Sequence, residues 1–131
     1  MKELGLFGLS IPEEYGGIGL SMQQECEVAY EMGHTAFAFR SVFGTNIGIG
    51  SQGILMDGTP EQKSDYLPRI ASGELIISFA LTEPDAGSDV AGMRTTARRE
   101  GDHYVLNGTK MFITNGVYAD ICFVAAKTDP T

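Results

Sequence analysis

The chain has no tryptophan and only two cysteines and five prolines among its 131 residues. Cys26 and Cys122 are too few to build the disulfide framework of a small secreted domain, which points to a reducing compartment. Basic residues are also scarce: nine stand against seventeen acidic ones, for a net charge of -8, and no basic run is longer than Arg98-Arg99. Nucleic-acid binding draws its affinity from clustered Lys and Arg, so this balance argues against it. A long uninterrupted apolar run is missing too. The longest apolar stretch, Ala36 to Met56, carries Arg40, Asn46 and Gln52, and polar groups at membrane depth are costly, so no spanning helix is expected. Met1-Lys2-Glu3 leads straight into Leu4-Gly5-Leu6-Phe7 without a basic n-region or a cleavage pattern, and no signal peptide is expected.

Hydrophobic residues make up 43% of the chain, enough for a core, and glycine, at 17 residues, is in excess. Its ordinary share is about 7%, so tight turns or close backbone approach are in demand. The length alone suits one domain. The last strand-like run, however, stops just short of Thr131, as in a chain cut inside a larger unit.

The hydrophobic period changes near Gly73, dividing the chain into a helical half and a strand-rich half. Residues 4–20 form an entry segment punctuated by Ile11-Pro12 and Gly16-Gly17. Ser21 and Gln24 make a capping box, and Met22, Cys26, Ala29 and Met32 follow as one apolar stripe. Residues 36–56 read as a buried helix. Thr59, Pro60 and Gln62 open another, predicted to run to about Leu67 because Pro68 disfavours helix in the residue before it, with Gly73 as a later stop. Beyond Gly73, Leu75–Thr82, Thr95–Arg99, His103–Leu106, Lys110–Thr114 and Ile121–Ala126 read as strands, with turns at Gly101-Asp102 and Asn107-Gly108. No crossover helix separates them, so the fold class is α+β: a helical N-terminal half, then antiparallel strands in meander order from a partial β-barrel or sandwich.

Three motifs carry chemistry. Gly48-Ile49-Gly50-Ser51-Gln52-Gly53 fits GxGxxG, with Glu74 at the distance of a ribose-binding acid. That nicotinamide-binding reading needs a strand before and a helix after, and the following helix is cut short by Asp57-Gly58-Thr59-Pro60. Helix-packing glycines are the competing reading. Leu81-Thr82-Glu83-Pro84-Asp85-Ala86-Gly87-Ser88-Asp89 joins a strand to a loop of hydroxyls, small residues and exposed amides, where Gly87 lets a ligand near the backbone. Its three carboxylates do not match a calcium loop. Gly108-Thr109-Lys110-Met111-Phe112-Ile113-Thr114-Asn115-Gly116 would place Phe112 and Thr114 on one strand face, an aromatic platform beside a hydroxyl that suits a flat ligand. His34, His103 and the Glu13-Glu14 pair show no site-like spacing, and Cys26 and Cys122 read as small core residues.

Ile11-Pro12-Glu13-Glu14-Tyr15-Gly16-Gly17, Phe79 to Asp89 and Asn107 to Gly116 together resemble the acyl-CoA dehydrogenase family, in family order and over essentially the whole chain. The resemblance implies that residues 1–74 belong to the helical N-terminal domain and 75–131 to the first strands of the middle β-domain, with the C-terminal helical domain absent. It implies FAD as cofactor. Phe79, Leu81 and Thr82 would line the flavin ring, Gly87 and Ser88 would lie near its phosphates, and Ser88 would also meet the acyl-CoA. Phe112, Ile113 and Thr114 would flank the isoalloxazine, Thr114 towards N5; position 112 is often Trp in relatives, and Phe112 keeps the platform without the indole donor.

The implied reaction is α,β-dehydrogenation of an acyl-CoA thioester, with the catalytic glutamate outside this chain and Glu83 not its substitute. An electron-transfer flavoprotein as acceptor, a homo-oligomer when full-length and a cytoplasmic location (the mitochondrial matrix in a eukaryote) follow from the same resemblance. Competing readings are an acyl-CoA oxidase or flavin monooxygenase relative, a non-catalytic binding module, and a nicotinamide-binding domain on Gly48–Gly53.

Overall fold

The computed structural model describes residues 1–129. Four helices come first: α1 (Met22–Met32), α2 (Phe37–Thr45), α3 (Ser51–Asp57) and α4 (Pro60–Ala71). Four strands follow: β1 (Ile77–Ala80), β2 (Thr96–Glu100), β3 (His103–Asn107) and β4 (Ile121–Val124). The α+β class holds.

Both expected capping boxes form. The Ser21 amide donates to Gln24 Oε1 at 2.9 Å and the Gln24 amide to Ser21 Oγ at 3.4 Å. At α4, the Thr59 amide donates to Gln62 Oε1 at 2.9 Å and the Gln62 amide to Thr59 Oγ1 at 3.2 Å. Each box satisfies amides that a helix start leaves unpaired. The predicted stop at Pro68 does not occur, and α4 continues to Ala71. Proline in a helix interior costs about 3 kcal/mol. Leu67 and Ile70, both fully buried, share the inward face with Ala71. Burying Leu and Ile side chains returns about 1.5–3 kcal/mol each, enough to hold the turn. Gly73 ends the segment, with φ 70° and its amide on Ile70 O at 3.0 Å.

The α1 stripe is shifted in phase from the expected one. Val28, Ala29 and Met32 are half-buried, and Val28 and Met32 pack on the core, while Met22 and Cys26 face solvent. Flexible Met and small Cys mark an apolar row without requiring its burial. Both cysteines are exposed, contrary to their reading as core residues. Residues 36–56 are helical but only partly buried: Phe37 and Phe39 are exposed, and burial begins at Phe43.

Between α2 and α3 the chain passes through a wide π-type turn, Asn46–Gly50, broken at Gly48 (φ -94°, ψ -109°). A helix precedes the GxGxxG letters, not a strand, which removes the context of a nicotinamide-binding loop. The packing reading holds at Gly50, where a Cβ would stand 2.7 Å from Ile77 Cγ2 and 2.6 Å from Thr45 O.

The strand order departs from the predicted antiparallel meander. β1 and β4 pair in parallel, Ile77 opposite Ile121 and Ala80 opposite Val124. β2 and β3 form the expected antiparallel hairpin, turned at Gly101 with φ 63°. Parallel pairing needs a long crossover, and here the excursion of residues 81–120, which contains the hairpin, supplies it without a helix of crossover length. Asn107-Gly108 makes no positive-φ turn; Gly108 instead lies against Thr95, where a Cβ would stand 2.7 Å from its Cα. Lys110–Thr114 is not a strand.

The core has two clusters. Ile11, Leu67, Ile70, Leu75 and Ile77 join the entry segment, α4 and β1, while Leu6, Phe7, Leu9, Phe43 and Ile47 join the entry segment to α2 and its wide turn. β1 is therefore anchored from the helical side, which leaves the segment beyond it free to face a ligand.

Candidate functional site

Fully buried Asn46 fixes the start of β1. Its Nδ2 donates to Leu75 O at 2.8 Å and its Oδ1 accepts the Ile77 amide at 3.0 Å. From the far end, Asp120 Oδ2 accepts the Ile76 amide at 2.9 Å. The Met111 amide donates to Thr82 O at 2.9 Å. Asn115 Nδ2 reaches Val42 O at 3.1 Å and Ile77 O at 3.4 Å. Residues 110–115 are thus laid along the β1 segment and tied to it at both ends, joining two motifs that lie apart in sequence.

Glu83 and Lys110 supply the strongest tie. Glu83 is buried, and its Oε1 accepts Lys110 Nζ at 2.8 Å and the Thr95 amide at 3.0 Å, while Oε2 accepts the Arg94 amide at 2.7 Å. Lys110 Nζ also donates to Leu81 O at 2.9 Å. The Lys110 ammonium foremost, with the Arg94 and Thr95 amides, holds the Glu83 carboxyl far below the usual carboxylate range. Glu83 is thereby a clamp ionised at neutral pH and a poor proton acceptor there. Asp85, in the same loop, pairs with Arg94 at 3.3 Å.

Phe79, Leu81 and Thr82 are half-buried along and just past β1, and Ile113 is half-buried in the crossing segment. Phe112 and Thr114 are exposed, as are Gly87 and Ser88 in the loop beyond the Glu83–Ala86 turn. The structure brings 79–82 and 112–114 side by side through the Met111–Thr82 bond. Among the described residues, no hydrogen bond or ion pair joins Gly87 or Ser88 to that pair. Phe112 is 85% exposed and has φ 56°, a left-handed conformation rare for an aromatic residue. Such backbone persists where the surroundings impose it, commonly at functional sites. Among the described residues, the hydroxyls of Thr82, Ser88 and Thr114 take no hydrogen-bond partner. Thr114 also borders a cleft of about 340 Å³ with Arg40, Ser41 and Thr45.

Sequence reasoning missed Asn46, Lys110 and Asn115. Asn46 read only as a polar break in an apolar stretch. The one available signal was that buried amides and cations need partners, but nothing in the spacing names those partners.

The profile of the acyl-CoA dehydrogenase N-terminal domain matches residues 1–74, and that of the middle domain matches residues 78–131. The chain belongs to the acyl-CoA dehydrogenase family. Among its curated family relatives is the very long-chain specific acyl-CoA dehydrogenase of Rattus norvegicus, 48% identical over 98% of this chain and 20% of the relative. A probable acyl-CoA dehydrogenase of Bacillus subtilis is 47% identical over 97% of this chain and 22% of its own length. The solved acyl-CoA dehydrogenase of Bacillus anthracis, complexed with FAD, superposes with a TM-score of 0.88 at 47% identity, covering 96% of this chain and 22% of that one. The Geobacillus kaustophilus acyl-CoA dehydrogenase gives a TM-score of 0.92 at 40% identity, covering 100% of this chain and 34% of that one. The chain thus spans about a fifth to a third of the acyl-CoA dehydrogenases it matches. Among the described residues, no helix is long and apolar enough to cross a membrane.

Proposed function

We propose that this chain forms one wall of the FAD site of an acyl-CoA dehydrogenase, a flavoprotein that α,β-dehydrogenates acyl-CoA thioesters. The observation that carries the reading is the Met111–Thr82 hydrogen bond of 2.9 Å, which sets Phe112–Thr114 against the end of the β1 segment. The residues fit a flavin. An exposed aromatic ring shares these strips with hydroxyls that take no partner among the described residues, and no described atom lies within 4 Å of where a Cβ would stand on Gly87. Bound FAD would supply the hydride acceptor for the substrate β-carbon.

The chain's own residues bind and orient. Phe79, Leu81 and Ile113 offer apolar surface to the ring, and Phe112 a stacking platform. Thr82 and Thr114 offer hydrogen bonds to its polar edges, Gly87 and Ser88 face its phosphates, and Ser88 also meets the thioester. The Glu83–Lys110 clamp keeps the two strips in register. No residue here is assigned as the base that takes the α-proton; that group belongs to sequence outside these 131 residues. In the same reading the boundary between helical domain and β-domain falls at 74/75, an electron-transfer flavoprotein is the acceptor, and the full-length protein is a homo-oligomer in the cytoplasm or the mitochondrial matrix.

The purified full-length protein is expected to be yellow, with flavin absorbance that bleaches on anaerobic addition of an acyl-CoA. A colourless protein that resists FAD loading would overturn the reading. The 131-residue chain alone, mixed with FAD, an acyl-CoA and a dye acceptor, is expected to give no turnover.

A further inference from the structure

Thr114 lies inside a turn whose backbone is tied on both sides. The Gly116 amide donates to Ile113 O at 3.0 Å, and Asn115 O accepts the Tyr118 and Ala119 amides, both at 2.8 Å. Asn115 itself has φ 62°. Asparagine tolerates that left-handed backbone, and glycine would adopt it at no steric cost. The turn alone therefore does not require the asparagine side chain, whose amide serves groups far from the turn.

One N–H of that amide closes the end of α2. Where α2 passes into the wide turn, the Asn46 amide donates to Phe43 O, whereas a regular α-helix would direct it to Val42 O. Val42 O is among the last four carbonyls of α2, which a helix end leaves without an intrahelical donor. Asn115 Nδ2 caps it at 3.1 Å from 73 residues along the chain. The other N–H reaches Ile77 O at 3.4 Å. With two carbonyls facing it, the group there can only be the nitrogen end of the amide. Asn115 thus joins α2, β1 and the strip that carries Thr114.

Two of those three parts are joined already. Fully buried Asn46 ties the end of α2 to β1 through Leu75 O at 2.8 Å and the Ile77 amide at 3.0 Å. The longer Asn115 bonds add little to that attachment. What they add is the third part, because the residue next to Thr114 is fixed to α2 and β1 at once. A binding group serves only when held within about 0.5 Å of its working position. We propose that Asn115 is a positioning residue: its side-chain amide sets the exposed Thr114 hydroxyl at the polar edge of the flavin and keeps it in register with the helical half of the chain. The inference rests on the flavin-site reading above and adds to it a residue that acts through Thr114.

The experiment uses the full-length protein as wild type, Asn115→Gly, Thr114→Val and the double variant. Asn115→Gly removes the amide and keeps the left-handed backbone, while Thr114→Val removes the hydroxyl and keeps the branched shape. Calorimetry gives the FAD Kd, and absorbance the position of the flavin band. Asn115→Gly is expected to raise the Kd by about 3–10-fold, the equivalent of one neutral hydrogen bond, and to move the band towards that of Thr114→Val. In the Thr114→Val background the same substitution is expected to change the Kd by less than about twofold and to leave the band in place. Asn115→Ser, which keeps one donor, is expected to lie between wild type and Asn115→Gly, and it carries the same cycle if Asn115→Gly does not fold. Equal weakening in both backgrounds would assign Asn115 to the fold alone and overturn the inference. So would a Kd and a band unchanged in Asn115→Gly. Either result with a yellow wild type overturns only this inference. A colourless wild type that resists FAD loading overturns the flavin-site reading itself.

Discussion

Phe43 and Phe112 both flank the β1 segment, yet one is 2% exposed and the other 85%. On the Phe43 side, apolar side chains interlock, Asn46 spends its amide on two backbone groups, and Gly50 admits Ile77 at van der Waals limits. On the Phe112 side, backbone groups are tied down while hydroxyls and an aromatic ring are left outward, and two non-glycine residues, Phe112 and Asn115, adopt positive φ. One side spends its side chains on the fold; the other holds its backbone and keeps its side chains for something else. A rigid scaffold presenting unspent groups is how binding sites are commonly built.

The comparison can be broken most directly by truncating both phenylalanines. Phe43→Ala is expected to cost about 3–5 kcal/mol in urea unfolding, through lost burial and the cavity left behind. Phe112→Ala is expected to change stability by no more than about 0.5 kcal/mol, because the ring is exposed, while weakening FAD retention. Equal losses would erase the distinction between the two sides.

Next comes Asn46→Ala, which strands Leu75 O and the Ile77 amide at about 1–3 kcal/mol for each buried group left unpaired. Thr114→Ala, on the open side, is expected to be neutral in the same unfolding experiment and to show its effect only in flavin binding.

The Glu83 clamp sharpens the comparison through pH. Its carboxyl is depressed in the fold relative to an unfolded value of about 4.3. Its contribution is therefore fully present above that value and is lost as pH falls through the folded one. The stability difference between wild type and Glu83→Gln, followed by thermal unfolding, is expected to be constant from pH 7 down to about 5 and to shrink below about 4. A difference that grows on acidification would reverse the assignment. Away from both sides, Ser21→Ala is expected to cost about 1 kcal/mol in the same unfolding experiment, from the lost cap of α1.

Local features were legible in the sequence wherever the partner lies within a few residues. The capping boxes at Ser21 and Thr59, the Gly101 turn and the β2–β3 hairpin all follow from adjacent letters. Pro68 misled because local preference against helix was overridden by burial of Leu67 and Ile70, and Asn107-Gly108 because close approach to Thr95, not a turn, demanded the glycine. The parallel β1–β4 pairing was illegible because apolar strands carry no mark of direction. At the site, motif resemblance named Thr82 and Thr114 as candidates, but nothing local could pair Glu83 with Lys110 or Asn46 with Ile77.

The sequence by itself determined the class of the fold, the helix starts, the hairpin and, through three ordered motifs, the family. These depend on propensity, periodicity and short-range hydrogen bonds, which act within a turn or two of chain. Only the tertiary structure decided which strands pair, which aromatic is buried and which is left exposed, and that Asn46 meets both Leu75 O and the Ile77 amide. Those outcomes depend on which distant groups meet, because a buried polar group or charge must find its partner wherever the fold brings one.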